Sequence, residues 1–272
     1  MNPGPVSIVT VVRNDREGLR HTMDSVLAQD FPGLEYVVVD GASTDGTLDI
    51  IRANAHHLSA WISEPDGGVY DAMNKGWRMA TGDWVVFLNA GDWFLDPGVV
   101  SAAMAVAGPQ VEAVFGDAVY LLGQQRHFMP AGRPEALPMG PFCCHQSLFM
   151  RRRMVEHVGG FRLSEWPAAD YGLIARAHAA GCQWQRVARP FVAYALGGIS
   201  DVHAGQGRRM AWAISREVFG TSWGRQLRWT YRLGRDLLRG GLRKAGLGGL
   251  VLGIQRGKAW LRRLGPAGRG VV

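Results

Sequence analysis

The chain has 272 residues, 47% hydrophobic and 19% charged, which fits one large α/β domain with an appendage, or two small domains, and excludes a disordered chain. Its formal charge of +7 is unevenly placed: from Asp201 onward fifteen Lys and Arg face three acids, whereas the first 200 residues hold fifteen basic and twenty acidic side chains. The basic character therefore belongs to the tail, and with no recognised binding module it does not argue for nucleic acid.

Cys143, Cys144 and Cys182 are odd in number, two of them adjacent, and show no metal-ligand spacing. That pattern fits a reducing compartment. The N-terminus lacks a basic segment followed by a long apolar one, and the longest late apolar run, residues 245–254, is half of what a bilayer span requires. The expectation is a cytoplasmic protein that touches the inner face of a membrane at most.

In chain order, residues 6–12 are apolar and β-branched and predict a first central strand, closed by Arg13, Asn14 and Asp15. Leu19, Met23, Val26 and Leu27 share one face of a helix over about 16–29. A second strand, 35–39, runs into Asp40-Gly41-Ala42-Ser43-Thr44-Asp45-Gly46, small residues that turn sharply and leave space for a ligand, or simply cap the helix that follows at 47–55. A short strand at 60–63 leads through Glu64-Pro65-Asp66-Gly67-Gly68 to a helix over 70–80. Lys75 on that helix reaches a phosphate or, as is commoner, stays solvated. Val85 to Leu88 form a strand buried on both faces that ends in Asn89-Ala90-Gly91-Asp92, either a plain turn or a ligand-binding corner.

The alternation β-α-β-α-β-α-β implies a mostly parallel buried sheet with right-handed crossovers. Acids stand at the ends of two strands, Asp40 and Asp92, and neither a GxGxxG after the first strand nor a GxxxxGK[ST] occurs, which excludes the usual dinucleotide and P-loop sites. Acids meeting a nucleotide require a cation to shield its phosphates.

Four ordered stretches, VSIVTVVRN, VVVDGASTDGT, SEPDGGVYDAMNKG and TGDWVVFLNAGD, resemble the nucleotide-sugar half of the family 2 glycosyltransferases, which have the GT-A fold. The resemblance covers the first 100 residues continuously and continues in pieces to about 200. It implies a nucleotide-binding sheet flanked by helices, a GT-A domain over 1–204 divided at residue 96 into donor and acceptor halves, and a separate basic helical tail over 205–272. It implies that Asp40 contacts the nucleobase or ribose, with Asp66 in the same pocket and Thr10, Lys75, Asn89 and Ala90 completing the nucleotide-sugar site. Asp92 is assigned to a divalent metal, Mg²⁺ or Mn²⁺. Asn89 and Gly91 stand where many members have Asp, so the donor diphosphate and water would complete the metal shell.

Past residue 96 the spacing predicts a helix over 97–107, strands at 113–117, 119–122 and 125–129, a mobile Pro/Gly-rich loop at 131–141, and strands at 183–188 and 191–195. Asp117 reads as a site acid or a surface one. His145 and Gln146 resemble a pair that lies near donor phosphates or acceptor, with a structural histidine as the alternative. Gly159-Gly160-Phe161 followed by Asp170 resembles the family's catalytic acid at a helix start, Ala169 replacing the first of its usual two acids; the bland alternative is an acid facing the helix dipole. Residues 197–200 resemble a donor-closing loop, and His203 is read as a surface histidine rather than a metal ligand. In the tail, Trp223, Leu227, Tyr231, Leu238 and Leu242 share one helical side, with Arg228, Arg232, Arg235 and Arg239 on a flank. That suits an anionic membrane surface, or equally a helical arm packing on its own domain or on a second subunit.

The reading that follows is an inverting, metal-dependent transferase. It moves a sugar from a nucleotide-diphosphate donor to a hydroxyl of a glycan or lipid-linked acceptor in cell-surface polysaccharide synthesis. The missing acids keep open a catalytically inactive sugar-nucleotide-binding or scaffold protein, and a nucleotidyltransferase is a third reading.

Overall fold

The computed structural model describes residues 4–122, 125–195, 203–224, 227 and 229–230. The chain forms one compact unit ending at Gly220 and a second beginning at Thr221. The loop expected at 197–200 and most of the tail helix expected over 223–243 lie outside the described residues.

The first unit begins as its hydrophobic pattern dictates. β1 (Val6–Val12) is buried at every position. α1 (Arg16–Leu27) starts where the Asp15 carboxylate accepts the Gly18 N–H at 3.0 Å, and it buries Leu19, Met23 and Val26 while Leu27 stays exposed. β2 (Leu34–Asp40), α2 (Thr47–Ala53), β3 (Ala60–Ser63), α3 (Val69–Met79) and β4 (Trp84–Phe87) follow. β3, β2, β1 and β4 pair in parallel in that order, so their carboxyl ends share one edge. α3 lies close against this sheet because Gly76 has no Cβ; one placed there would meet the Val9 side chain at 2.3 Å.

Beyond β4 the sheet is mixed. β5 (Trp93–Phe94), α4 (Val99–Met104), β6 (Ala113–Leu122), β7 (Gln125–Met129), β8 (Leu148–Arg151), α5 (Arg152–His157), α6 (Ala169–Ala179), β9 (Trp184–Ala195) and α7 (Ala204–Phe219) complete the unit. The sheet continues from β4 through β8, β6 and β9 to β5, with β7 as a hairpin partner of β6. β6 and β9 run parallel, while β4–β8, β6–β8, β6–β7 and β5–β9 are antiparallel. Trp84, Phe115, Phe149 and Phe191 fill the centre.

Three expectations need correction here. β6 is one strand, not two, and so is β9, with the register shift absorbed between Phe115 and Ala118. Gly116 makes this feasible, since a Cβ there would stand 2.5 Å from the Phe191 ring. Part of the stretch expected as a mobile loop is instead a 3₁₀ turn, Pro134–Met139, with Leu137 fully buried. Tyr171 Oη donates to the Leu137 carbonyl at 2.7 Å, and Ser215 Oγ on α7 to that of Pro138 at 2.8 Å. Asp117 is neither a site acid nor a surface one: it is buried and accepts from the Ala131 N–H and Arg186 Nη2, both at 2.8 Å.

Candidate active site

A cavity of about 960 Å³ opens along the carboxyl edge of the parallel strands. That edge is where ligands bind in open α/β sheets. Residues 89–92, after β4, form one wall. Thr22 on α1 fixes this corner, its Oγ1 donating to the Asp92 carbonyl at 2.7 Å and accepting from the Gly91 N–H at 3.0 Å. Gly91 has φ +87°, a left-handed conformation that disfavours any side chain. The Asn89 side-chain oxygen is buried without a hydrogen-bond partner, and Asp15 enters the cavity from the end of β1.

Asp92 is 9% exposed. Burial pushes its carboxyl up to about 6; a hydrogen bond from Gln146 Nε2 at 2.8 Å and the nearby His145 oppose that rise, and the Asp15 charge adds to it. Gln146 is itself held by Cys144, whose Sγ lies 2.7 Å from Oε1.

Asp170 is the second residue of α6, 78 positions after Asp92 in the sequence, yet it lines the same cavity. Its side chain is 25% exposed, and each carboxylate oxygen has a partner: Tyr70 Oη donates to Oδ1 at 3.0 Å, and His145 Nδ1 lies 3.3 Å from Oδ2. Burial favours the neutral acid, but His145, the Tyr171 backbone N–H and Tyr70 together hold the carboxyl below its ordinary range. Burial and the neighbouring Asp170 charge push the Tyr70 hydroxyl well above its usual value, so it stays a donor.

Asp170 is brought here by α3. Asn74 Nδ2 donates to the Phe161 carbonyl at 2.7 Å, and Asn74 Oδ1 accepts from the Phe161 N–H and from Trp77 Nε1, both at 3.0 Å. This staples the Gly-Gly-Phe turn to α3. Gly160 is required beside it, since a Cβ would stand 2.6 Å from Asn74 Oδ1.

The expected site residues thus separate. Asp66, Asn89, Ala90, Asp92, His145, Gln146 and Asp170 all line the cavity. Thr10, Asp40 and Lys75 do not. Thr10 is fully buried in β1, where its hydroxyl accepts from Tyr36 Oη at 3.1 Å. The Asp40 carboxylate is buried behind the cavity, taken up by the Ser43 N–H and hydroxyl and by Ser63 Oγ at 2.6 Å. Lys75 Nζ is paired with Glu64 at 2.7 Å and bonded to the Pro65 carbonyl. His203 packs edge-on to Trp166, with ring centroids 4.7 Å apart. Tyr70, Thr22 and Asn74 went unread because each acts on a residue remote in the sequence, and only Tyr70 and Asn74, at one turn's spacing on a predicted helix, left a trace; Asp15 was read only as closing the first strand.

A cation is a further test of this chemistry. Among the described residues no group of three or more His, Cys, Asp or Glu could enclose one. Asp92 and the unpartnered Asn89 oxygen are hard oxygen ligands, which fits a cation shared with a ligand's phosphates rather than caged by protein. Burial raises both cavity thiols, Cys144 to about 12, so neither is a ready nucleophile.

Residues 7–159 match the family model described as glycosyl transferase family 2. The chain belongs to glycosyl transferase family 2. An uncharacterized glycosyltransferase of Mycobacterium tuberculosis is 36% identical to this family 2 glycosyltransferase over 178 residues, 63% of this chain and 68% of the relative. A PGL/p-HBAD biosynthesis glycosyltransferase of Mycobacterium bovis is 33% identical over 170 residues, 61% of this chain and 66% of the relative. Among solved structures, Staphylococcus aureus TarS 1–349 in complex with UDP-GlcNAc is similar with a TM-score of 0.65 at 16% identity, covering 82% of this chain and 69% of that one. The mannosyltransferase PcManGT of Pyrobaculum calidifontis, in complex with GDP-Man and Mn²⁺, is similar with a TM-score of 0.60 at 18% identity, covering 94% and 87%. The expected GT-A fold is therefore the fold observed. No helix among the described residues is long and apolar enough to cross a membrane.

Proposed function

We propose that this family 2 glycosyltransferase moves a sugar, with inversion, from a nucleotide-diphosphate donor to a hydroxyl of a glycan or lipid-linked acceptor in cell-surface glycan synthesis. The observation that carries this reading is the meeting of Asp92 and Asp170 in one cavity, from opposite halves of the unit and with opposite carboxyl behaviour. In this reading Asp66 and residues 89–92, which line the cavity, take the donor. Met129, Pro130, Pro141, Phe142 and Tyr194 line the other end, an apolar wall that supports an acceptor with an apolar group beside its hydroxyl.

In this mechanism Asp170, ionised at neutral pH, accepts the proton of the acceptor hydroxyl. The acceptor oxygen forms its bond to the anomeric carbon on the face opposite the diphosphate, and the bond to the diphosphate breaks with its electron pair leaving on phosphate oxygen. No covalent enzyme intermediate forms, in keeping with the protonated thiols. A divalent cation such as Mg²⁺ or Mn²⁺, held by Asp92 with the donor diphosphate and water, would neutralise charge on the leaving group. The basic tail supplies, in this reading, a contact with an anionic membrane or with a second copy; Trp223 and Leu227 of its apolar side are exposed.

The test is purified protein incubated with a panel of nucleotide sugars, Mg²⁺ or Mn²⁺, and alkyl or aryl glycosides beside free oligosaccharides. The expected result is nucleoside diphosphate release with an inverted product, fastest on acceptors with an apolar aglycone. Binding without turnover on any acceptor would instead support a sugar-nucleotide-binding protein.

A further inference from the structure

The 3₁₀ turn His145–Ser147 stands between the two carboxylates. The resemblance puts His145 and Gln146 near donor phosphates or acceptor; both line the cavity, where their side chains meet its two carboxylates. Gln146 has both ends occupied, Oε1 by Cys144 at 2.7 Å and Nε2 by Asp92 Oδ2 at 2.8 Å. The Cys144 S–H donates, which fixes the amide so that its NH₂ faces Asp92. His145 points its Nδ1 at Asp170 Oδ2, 3.3 Å away, while its Nε2 is buried without a partner. The main chain of this turn is itself held, since Ser147 Oγ donates to the carbonyls of Gly116 and Cys144 at 3.0 and 2.9 Å.

We infer that His145 and Gln146 are positioning residues: one short turn holds both carboxylates, His145 orienting Asp170 and Gln146 orienting Asp92. Each of these two contacts occupies one carboxylate oxygen. At Asp170, Tyr70 takes part of the remaining capacity, so the lone pair facing the cavity is directed by two donors from two different segments. At Asp92, the amide fills Oδ2 and leaves the capacity of Oδ1. Because the two donors are adjacent residues, the separation between the base and the donor site is set by the geometry of a single peptide unit. A misplacement of about 1 Å costs on the order of 100-fold in rate, so such a brace has a kinetic signature.

The inference rests on the transferase reading, and its test separates the two. Steady-state kinetics of Gln146→Met, which keeps the volume and removes the donor, are expected to show donor KM raised about tenfold with kcat changed less. His145→Ala is expected to lower kcat 10- to 100-fold with donor KM within threefold. His145→Asn, whose amide nitrogen mimics Nδ1, is expected to recover most of that loss. Equal loss in His145→Asn and His145→Ala, at unchanged melting temperature, would overturn the positioning role by showing that the ring itself is needed. An unchanged donor KM in Gln146→Met would overturn the other half. Imidazole ¹⁵N NMR of the unliganded protein reads the brace without turnover: His145 is expected as the Nδ1–H tautomer, shifting in Asp170→Asn. An Nε2–H tautomer unmoved by Asp170→Asn overturns the inference, even for a protein that transfers no sugar and so fails the functional reading alone.

Discussion

Asp92 and Asp170 face one cavity from dissimilar surroundings. Asp92 is nearly closed from water, receives one side-chain donor and sits near a second acid, Asp15; its carboxyl rises to about 6. Asp170 is more open to the cavity and receives Tyr70, His145 and a backbone N–H; its carboxyl falls below the usual range. The number of donors outweighs burial at one and not at the other. Two like groups driven apart in this way mark divided labour: one stays a proton acceptor throughout the physiological range, and the other gives up its charge once pH falls below about 6.

The largest effect expected from breaking this contrast is at Asp170. Asp170→Asn keeps the shape and the two donors but removes the acceptor charge; kcat should fall at least 100-fold while donor affinity, measured by calorimetry, stays within a few-fold. Normal transfer by this variant would remove Asp170 from the proton step.

Asp92 sharpens the contrast through pH. With its carboxyl at about 6, donor kcat/KM should fall as pH drops below that value, while Asp170 stays ionised across the same window. The stability sign is opposite to that of a paired acid. A folded value raised above the ordinary 3.8 means the charged form is disfavoured in the folded state; the penalty is full above about pH 6 and vanishes as pH falls toward 3.8. Asp92→Asn should therefore lose metal-stimulated activity yet gain about 1–3 kcal/mol at pH 8, at 1.36 kcal/mol per unit. That gain, read from urea unfolding, should disappear near pH 4.

The smallest catalytic consequence, with a clear structural one, is expected at Asn74. Asn74→Ala leaves the Phe161 N–H and carbonyl and the Trp77 N–H without their partner. Unsatisfied buried groups cost about 1–3 kcal/mol each, partly relieved by water, so a loss of about 2–4 kcal/mol is expected in denaturant unfolding. Carboxylate chemistry at Asp92 should persist while transfer declines through misplacement of Asp170.

The donor half was legible because its signals are local. The uninterrupted apolar strands and the Gly-rich turns each act within a few residues, and β1 to β4 stand where the alternation put them. Asp92, Asp170, His145 and Gln146 were singled out through motif order and line one cavity, but Tyr70 and Asn74 were not singled out. Tyr70 bonds across 100 residues and Asn74 across 87, distances no periodicity encodes. Asp40 shows the converse: a strand-end acid in a ligand-like turn, whose charge is spent on Ser43 and Ser63. β6 and β9 were each expected as two strands, whereas pairing with neighbours carries both through.

The left-handed backbone at Gly91 constrains what this corner can become. A carboxylate-bearing residue at 91 would adopt φ +87° at a cost, and its Cβ would stand 3.4 Å from the Asp15 carboxylate, placing like charges together. A second acid at this corner therefore carries backbone strain and a like-charge neighbour at once, and only a cation held between positions 15 and 91 would offset both.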